Sequence, residues 1–391
     1  MSKAQRNLYT AAVLISMMFM AAMGSIRGSL LTNMIDHYGL SDAQQGMPAS
    51  VVNLGCMCAL VFAFFLMGRI KKPLLLLISA AATMLLLIPQ GMLPAYGLFI
   101  AFNFIFGLSN GIMDTLQSAC MADVRRGEKS GMWMNILHAS YGIAAMLAPL
   151  IFSAMLRHGV AWNRIYFIMA AAGMVFMLYF APVSVRQARL ADKGEKMTLS
   201  LKVIKEYFSD RTLVTVTLCM LFFGLFFGST NTWLMHFVNK SYTGQLGDKA
   251  LAAAFLGVTC GRLVWPFTGI KPRRFLKIAG AAVWAIWTVS LFTKSGIAVC
   301  VFSFVAMFFS GPVIPYCADI GCSTVKGDSM MASTMLFLMM YIGQSLSSIF
   351  VGAFERGWSL SAGMELCYIF ALLCSVTAII GFRDKKGGEK A

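Results

Sequence analysis

The sequence predicts an all-α membrane protein: twelve transmembrane helices in two six-helix bundles, with both termini cytoplasmic. Three observations carry this. Of 391 residues, 59% are hydrophobic and only 12% are charged, whereas soluble domains carry roughly 25% charged residues. Twelve stretches reach the ~20 mostly apolar residues that a spanning helix needs. The 32 Lys and Arg residues also crowd into alternate connections, which the positive-inside rule assigns to the cytoplasm.

The predicted spans are 9–31, 45–68, 73–93, 96–122, 131–156, 164–183, 212–237, 249–270, 275–293, 296–322, 329–353 and 363–382. Only one connection is long. The chain therefore divides into a first bundle over 1–183, a cytoplasmic linker over 184–211, and a second bundle with a short tail over 212–391. The first span is too long for the apolar core of a cleaved signal peptide and lacks a small-residue cleavage pattern, so it is read as a helix that stays. In the linker, Leu201, Val203, Ile204, Tyr207 and Phe208 recur at helical spacing, which predicts an amphipathic helix on the cytoplasmic face.

The halves echo each other at an offset near 200 residues. Gly24 and Ser25 match Gly228 and Ser229; Gly55 matches Gly257; Lys71-Lys72 matches Arg273-Arg274; Gly111 matches Gly311; Tyr141 matches Tyr341. Such parallel repeats are one way in which transporters build a site at mid-membrane. Three Gly-xxx-Gly pairs, Gly24/Gly28, Gly107/Gly111 and Gly257/Gly261, place small residues on one helix face and predict close helix packing.

Several function classes fall away. A net charge of +16 invites a nucleic-acid reading, but the basic residues follow topology rather than one face. All ten cysteines lie in predicted spans, so no disulfide framework is expected. The Cys56-x-Cys58 pair lacks His or carboxylate companions and reads as packing, not a metal site. No phosphate loop, zinc spacing, nucleophile elbow or paired acid/base carboxylates appears, so neither an enzyme nor a cofactor is expected.

Polar residues inside the spans are the candidate chemistry. An ionisable group at mid-membrane is costly, by ~2.5–3.5 kcal/mol on insertion scales, and tends to mark a transport path. In the fourth span Asn110, Asp114 and Gln117 or Ser118 share one stripe. Arg27, in the first span, either pairs with Asp114 or binds a carboxylate or phosphate through its planar fork. In the fifth span Asn135, His138 and Tyr141 are spaced by three; His138 either relays protons or is a packed interior residue. The second half offers Asn231 at the repeat position of Arg27, then Trp233 and His236. It also offers Tyr316 with Asp319, and Tyr341 with Gln344 and Ser348. Asp319 is expected to form a gating or packing pair with the basic turn holding Arg273 and Arg274, while Arg262 is expected to be structural. Glu365 is placed away from the site.

These residues resemble the major facilitator superfamily and, within it, the fucose-permease-like sugar:proton symporter branch. The resemblance rests on Gly107-Leu108 with Asp114-Thr115, on Met134 to Ala139 with Gly142 through Pro149, and on Trp233-Leu234 with Gly261-Arg262. It implies alternating access by two rocking bundles around a central cavity, with Asp114 as the proton-coupling carboxylate. Two departures stand out. Gly28, with Arg27 before it, occupies the place of a second acid in the first span. The Gly-x-x-x-Asp-Arg loop is reduced to Gly68-Arg69-Ile70-Lys71-Lys72, without its acid.

The expected function is proton-coupled uptake of a small polar solute, a sugar or derivative, with an anionic sugar acid or carboxylate among the options. Asp114, Arg27 and His138 are the expected coupling residues. Arg27, Asn110, Asp114, Gln117, His138, Tyr141, Asn231, Trp233, Tyr316 and Gln344 are expected to line the cavity, and Asp319, Arg273 and Arg274 to gate it. The alternative is an exporter of amphiphilic drugs or lipids, which the 30 methionines keep open. A binding protein without flux finds little surface in the short outer loops. The expected partners are the solute, protons or Na+, and the bilayer of the plasma (inner) membrane, with the protein acting as a monomer.

Overall fold

The computed structural model describes residues 2–40, 44, 47–66, 68–127, 129–191, 201–242, 246–293, 295–326 and 328–382. Its helices are α1 (Lys3–Ser29), α2 (Leu31–Tyr38), α3 (Met47–Leu66), α4 (Lys72–Leu85), α5 (Leu87–Gly91), α6 (Tyr96–Val124), α7 (Ser130–Arg157) and α8 (Trp162–Leu190). There follow α9 (Leu201–Ser209), α10 (Arg211–Ser241), α11 (Gly247–Val264), α12 (Pro272–Leu291), α13 (Gly296–Ser310), α14 (Val313–Thr324), α15 (Ser329–Gly357) and α16 (Leu360–Gly381). No strand occurs among the described residues. Among the described residues eleven helical stretches, counting α4–α5 and α13–α14 as one each, are long and apolar enough to cross a membrane; α3 supplies a shorter apolar helix where the second span is predicted.

Local chemistry sets the helix starts. The Ser2 hydroxyl accepts the Gln5 N–H while the Gln5 side chain accepts the Ser2 N–H, a reciprocal cap on α1. Asp210 caps α10 by accepting the N–H groups of Thr212 and Leu213 at 2.8 and 3.1 Å. Both α4 and α12 open with Lys followed by Pro in the first turn, where the missing proline N–H costs nothing. Gly68 and Gly269, just before these starts, take φ of +67° and +76°, backbone that only glycine adopts freely. The α8 helix runs past the predicted sixth span to Leu190.

Two compact units result: Met1–Leu199 with Gly327–Thr334, and Ser200–Lys326 with Met335–Ala391. Within each, the repeat glycines pack alike. An added Cβ at Gly55 in α3 would lie 2.4 Å from the Phe104 carbonyl oxygen of α6; at Gly257 in α11 it would lie 2.2 Å from that of Phe304 in α13. Gly107 and Gly111 press on Val52 and Cys56, and Gly261 and Gly311 press on Phe308 and Val258. Close backbone approach of this kind replaces the hydrophobic drive that lipid removes. Gly24 and Gly28 correct the third pair: nothing lies within 4 Å of a Cβ at either, so they leave open space along α1 instead of packing.

Aromatic and sulfur-rich cores fill the units: Tyr9, Phe99, Phe106 and Tyr166 in the first, and Phe226, Phe237, Trp287 and Tyr368 in the second. Outward apolar residues such as Val175 and Leu178 of α8 are mostly exposed, as a lipid-facing surface requires. The linker helix α9 buries Tyr207, whose hydroxyl bonds Thr217 Oγ1 at 3.0 Å, and leaves Phe208 exposed. The side chains of Leu201 and Val203 fall outside the described residues.

Candidate functional site

In the first unit the predicted stripe on α6 forms. Asp114, Gln117 and Ser118 are buried and Asn110 is half-buried. Gln117 donates from Nε2 to Ser16 Oγ of α1 at 3.0 Å, which leaves its Oε1 buried without a partner; Asn110 Oδ1 is in the same condition. Asp114 therefore sits between two unsatisfied amide oxygens on one helix face. On α7, His138 is buried with its Nε2 3.5 Å from Ser118 Oγ, so the fourth and fifth spans share one polar patch. Asn135 donates to its own helix at Gly131 O and Tyr141 is half-buried.

The Arg27–Asp114 ion pair is corrected. Arg27 donates from Nε to Asn103 Oδ1 at 2.5 Å, from Nη2 to Gln90 Oε1 at 3.4 Å and from Nη1 to Met23 O at 3.4 Å. Its guanidinium lies 4.0 Å from the centre of the Phe106 ring. Asn103 precedes Asp114 by three helical turns, ~16 Å along the axis, too far for the pair. Gln90 and Asn103 escaped the sequence reading because amides in apolar spans carry no spacing signal of their own.

A second charge cluster was also missed. Lys72, opening α4, bridges Asp123 at the end of α6 and Asp328 just before α15, with Nζ 2.8 Å from the latter's Oδ1. The Ser329 hydroxyl accepts from Lys72 Nζ at 2.9 Å and donates to Asp123 at 2.9 Å. Deeper in α15, Ser333 donates to Thr115 O at 2.8 Å. The acid lacking between Gly68 and Lys72 is thus replaced by two acids from elsewhere in the same unit. The available signal was the coincidence of Lys-Pro at one span start with an Asp at the end of the fourth span and another before the eleventh.

In the second unit the predicted residues scatter. Asn231 is exposed and Trp233 half-buried, its ring edge-on to His236 at 5.9 Å. Gln344 is half-buried, and its backbone packs on Gly228. Tyr316 is buried against the Phe275 ring, 5.4 Å away, and so forms wall rather than surface. The expected pairing of Asp319 with the basic turn is corrected. Asp319 is buried, whereas Arg273 is exposed and lies over the Phe382 ring at 5.5 Å, and Arg274 is exposed; among the described residues neither arginine forms an ion pair. Arg262 is buried and donates to Gly311 O at 3.1 Å, a helix-to-helix tie. Glu365 Oε1 accepts from Trp284 Nε1 and Thr288 Oγ1, both at 2.9 Å.

Two repeated helical units with a buried polar patch, and with spans broken between α4 and α5 and between α13 and α14, define a multi-pass helical membrane protein. A family model described as Major Facilitator Superfamily matches residues 12–318. The chain belongs to that superfamily.

It is similar to the Protein TsgA homolog of Buchnera aphidicola subsp. Schizaphis graminum (strain Sg), 21% identical over 385 residues and 94% of either chain. The match to Protein TsgA of Shigella boydii serotype 18 (strain CDC 3083-94 / BS512), also 21% identical, spans 46% of this chain and 45% of that one. Among solved structures, FucP, a Major Facilitator Superfamily transporter in the outward conformation, aligns with a TM-score of 0.77 at 14% identity over 95% of this chain and 98% of that one. The human organic anion transporter MFSD10 (TETRAN) aligns at 0.75 and 12% identity over 95% and 99%. These likenesses establish the shared fold.

Proposed function

We propose that this transporter couples uptake of a small polar solute, a sugar or sugar derivative, to protons by alternating access, with Asp114 as the residue that carries the proton. The observation that carries the reading is the buried Asp114 carboxyl ten residues inside the C-terminal end of α6, flanked by the unpartnered oxygens of Asn110 and Gln117. A membrane helix keeps such a group only for a polar interior or a path. His138, against Ser118, and Tyr141 extend the polar patch, and Asn231, Trp233 and Gln344 are the candidates from the second unit. The fold shared with FucP, whose Escherichia coli form is described as a fucose:proton symporter, supports the same solute class. A polar stripe suits a polar cargo better than the amphiphilic cargo of an exporter. We place both termini on the cytoplasmic side of the inner membrane.

The test is proteoliposome uptake under an imposed pH gradient, with sugars and sugar acids screened by solute-dependent proton influx. Asp114→Asn is expected to abolish proton-driven accumulation while solute exchange at equal pH persists. Accumulation that survives unchanged in Asp114→Asn would overturn the coupling role.

A further inference from the structure

Arg27 is a buried cation without a counter-ion among the described residues. Its residue is 5% exposed, and Gln90, Asn103 and Tyr166 around it are fully buried. Its partners are two amide oxygens, one backbone carbonyl and a phenyl face, all neutral. Helices α1, α5 and α8 contain no Asp or Glu. The two acids of α6, Asp114 and Asp123, lie three or more turns from Asn103. Half-buried Lys72 of the same unit, by contrast, has two carboxylates, and the buried Arg125 bonds Thr10 and Asn7 and lies over the Trp133 ring. Guanidinium does not lose its proton in proteins, and a charge taken from water without an opposite charge is strongly unfavourable.

Two further groups point to what completes the site. Gln90 Nε2 and the Tyr166 hydroxyl are both buried without a hydrogen-bond partner. The two residues are neighbours, because Gln90 precedes Gly91 and the Tyr166 Cβ packs directly on Gly91, 2.9 Å from where its Cβ would be, and the Tyr166 phenol lies within electrostatic range of the Arg27 guanidinium. Asn163, one turn earlier on α8, donates to Gly91 O at 3.2 Å and fixes that contact. Gln90 sits in the short α5 segment after the break at Leu86, so the interruption of the third span presents this amide to Arg27. An amide N–H, a phenol O–H and a guanidinium are all donors, and no acceptor among the described residues serves the first two.

We propose that Arg27, Gln90 and Tyr166 form an internal anion site in the first unit, occupied by a single negative charge: a chloride-sized inorganic anion or the carboxylate of a solute. The inference does not depend on Asp114 or on the sugar reading. Hydrogen-bond donors around a fixed cation in a dry interior are the arrangement that binds an anion, since each donor is charge-assisted.

The experiment uses the full-length protein in detergent in a sulfate buffer, with chloride, bromide or acetate titrated at constant ionic strength and the unfolding midpoint read. The midpoint is expected to climb with halide or acetate, because a ligand held only by the folded state stabilises it. A response to halides signals a free inorganic anion, and a response to acetate alone signals a solute carboxylate. Gln90→Glu supplies the negative charge covalently, so it should lose the anion response and already be as stable in sulfate as the wild type is in saturating anion. Tyr166→Phe removes one donor without removing the ring and should weaken the response at least tenfold in concentration. Indifference of the wild type to all three anions would overturn the site, as would a response unchanged in Tyr166→Phe and Gln90→Glu.

Discussion

Replacing Lys72 with Met tests how the start of α15 is fastened to the first unit. The ammonium serves two carboxylates of different exposure: the Asp328 side chain is 3% exposed and that of Asp123 is 30% exposed. Stranding a buried carboxylate costs about 3–5 kcal/mol. Asp328 keeps one donor, the Met330 N–H at 2.9 Å, which puts its share near the lower end, ~3 kcal/mol. Asp123 is solvated and keeps Arg126 at 3.7 Å, so its share is at most ~1 kcal/mol. Lys72→Met is therefore expected to lose about 3–4 kcal/mol in equilibrium unfolding in mixed micelles. Adding Asp328→Asn removes the stranded charge and should restore about half of that loss. A loss below ~1 kcal/mol, or a double variant less stable than Lys72→Met alone, would refute the reasoning, because the cluster would then be a solvated surface feature.

Two more predictions concern packing and pH. Gly55→Ala and Gly257→Ala would each drive a Cβ onto a facing carbonyl, at 2.4 and 2.2 Å, and should each cost about 1–3 kcal/mol. Gly24→Ala meets open space and should be neutral or stabilising by up to ~1 kcal/mol, so equal effects at all three positions would show that helix propensity, not contact, decides. Burial raises the Tyr207 phenol above its ordinary value. The folded state then holds this proton while the unfolded state releases it, so stability falls as pH rises above ~10. Tyr207→Phe should make that alkaline decline shallower by one proton, ~1.4 kcal/mol per pH unit; an unchanged slope would mean that the phenol ionises in the folded protein.

Fold and site differ in how far the sequence discloses them. Hydropathy reads spans directly because lipid demands closed backbone hydrogen bonding, so each predicted stretch coincides with a helix or with a pair of helices broken at one point. The repeat was legible in glycines and basic turns, since Gly55 and Gly257 must meet the same kind of carbonyl in both units. The stripe of Asn110, Asp114 and Gln117 was legible for a similar reason: residues three and four apart share a helix face whatever surrounds them.

What faces that stripe was not legible. Arg27 could be assigned to Asp114 because both lie inside apolar spans of the first bundle, yet it meets Gln90 and Asn103, about three turns along α6 from Asp114, and the relative height of two helices depends on how they pack. Lys72 meets Asp328 across more than half of the chain, a contact that no local pattern encodes. The sequence by itself determined a helical membrane transporter built twice over, with a carboxyl inside its fourth span, because those features follow from the solvent and from helix periodicity. Only the tertiary structure decided which charges are paired, because a charge chooses its partner by distance and burial, and those exist only once the helices have packed.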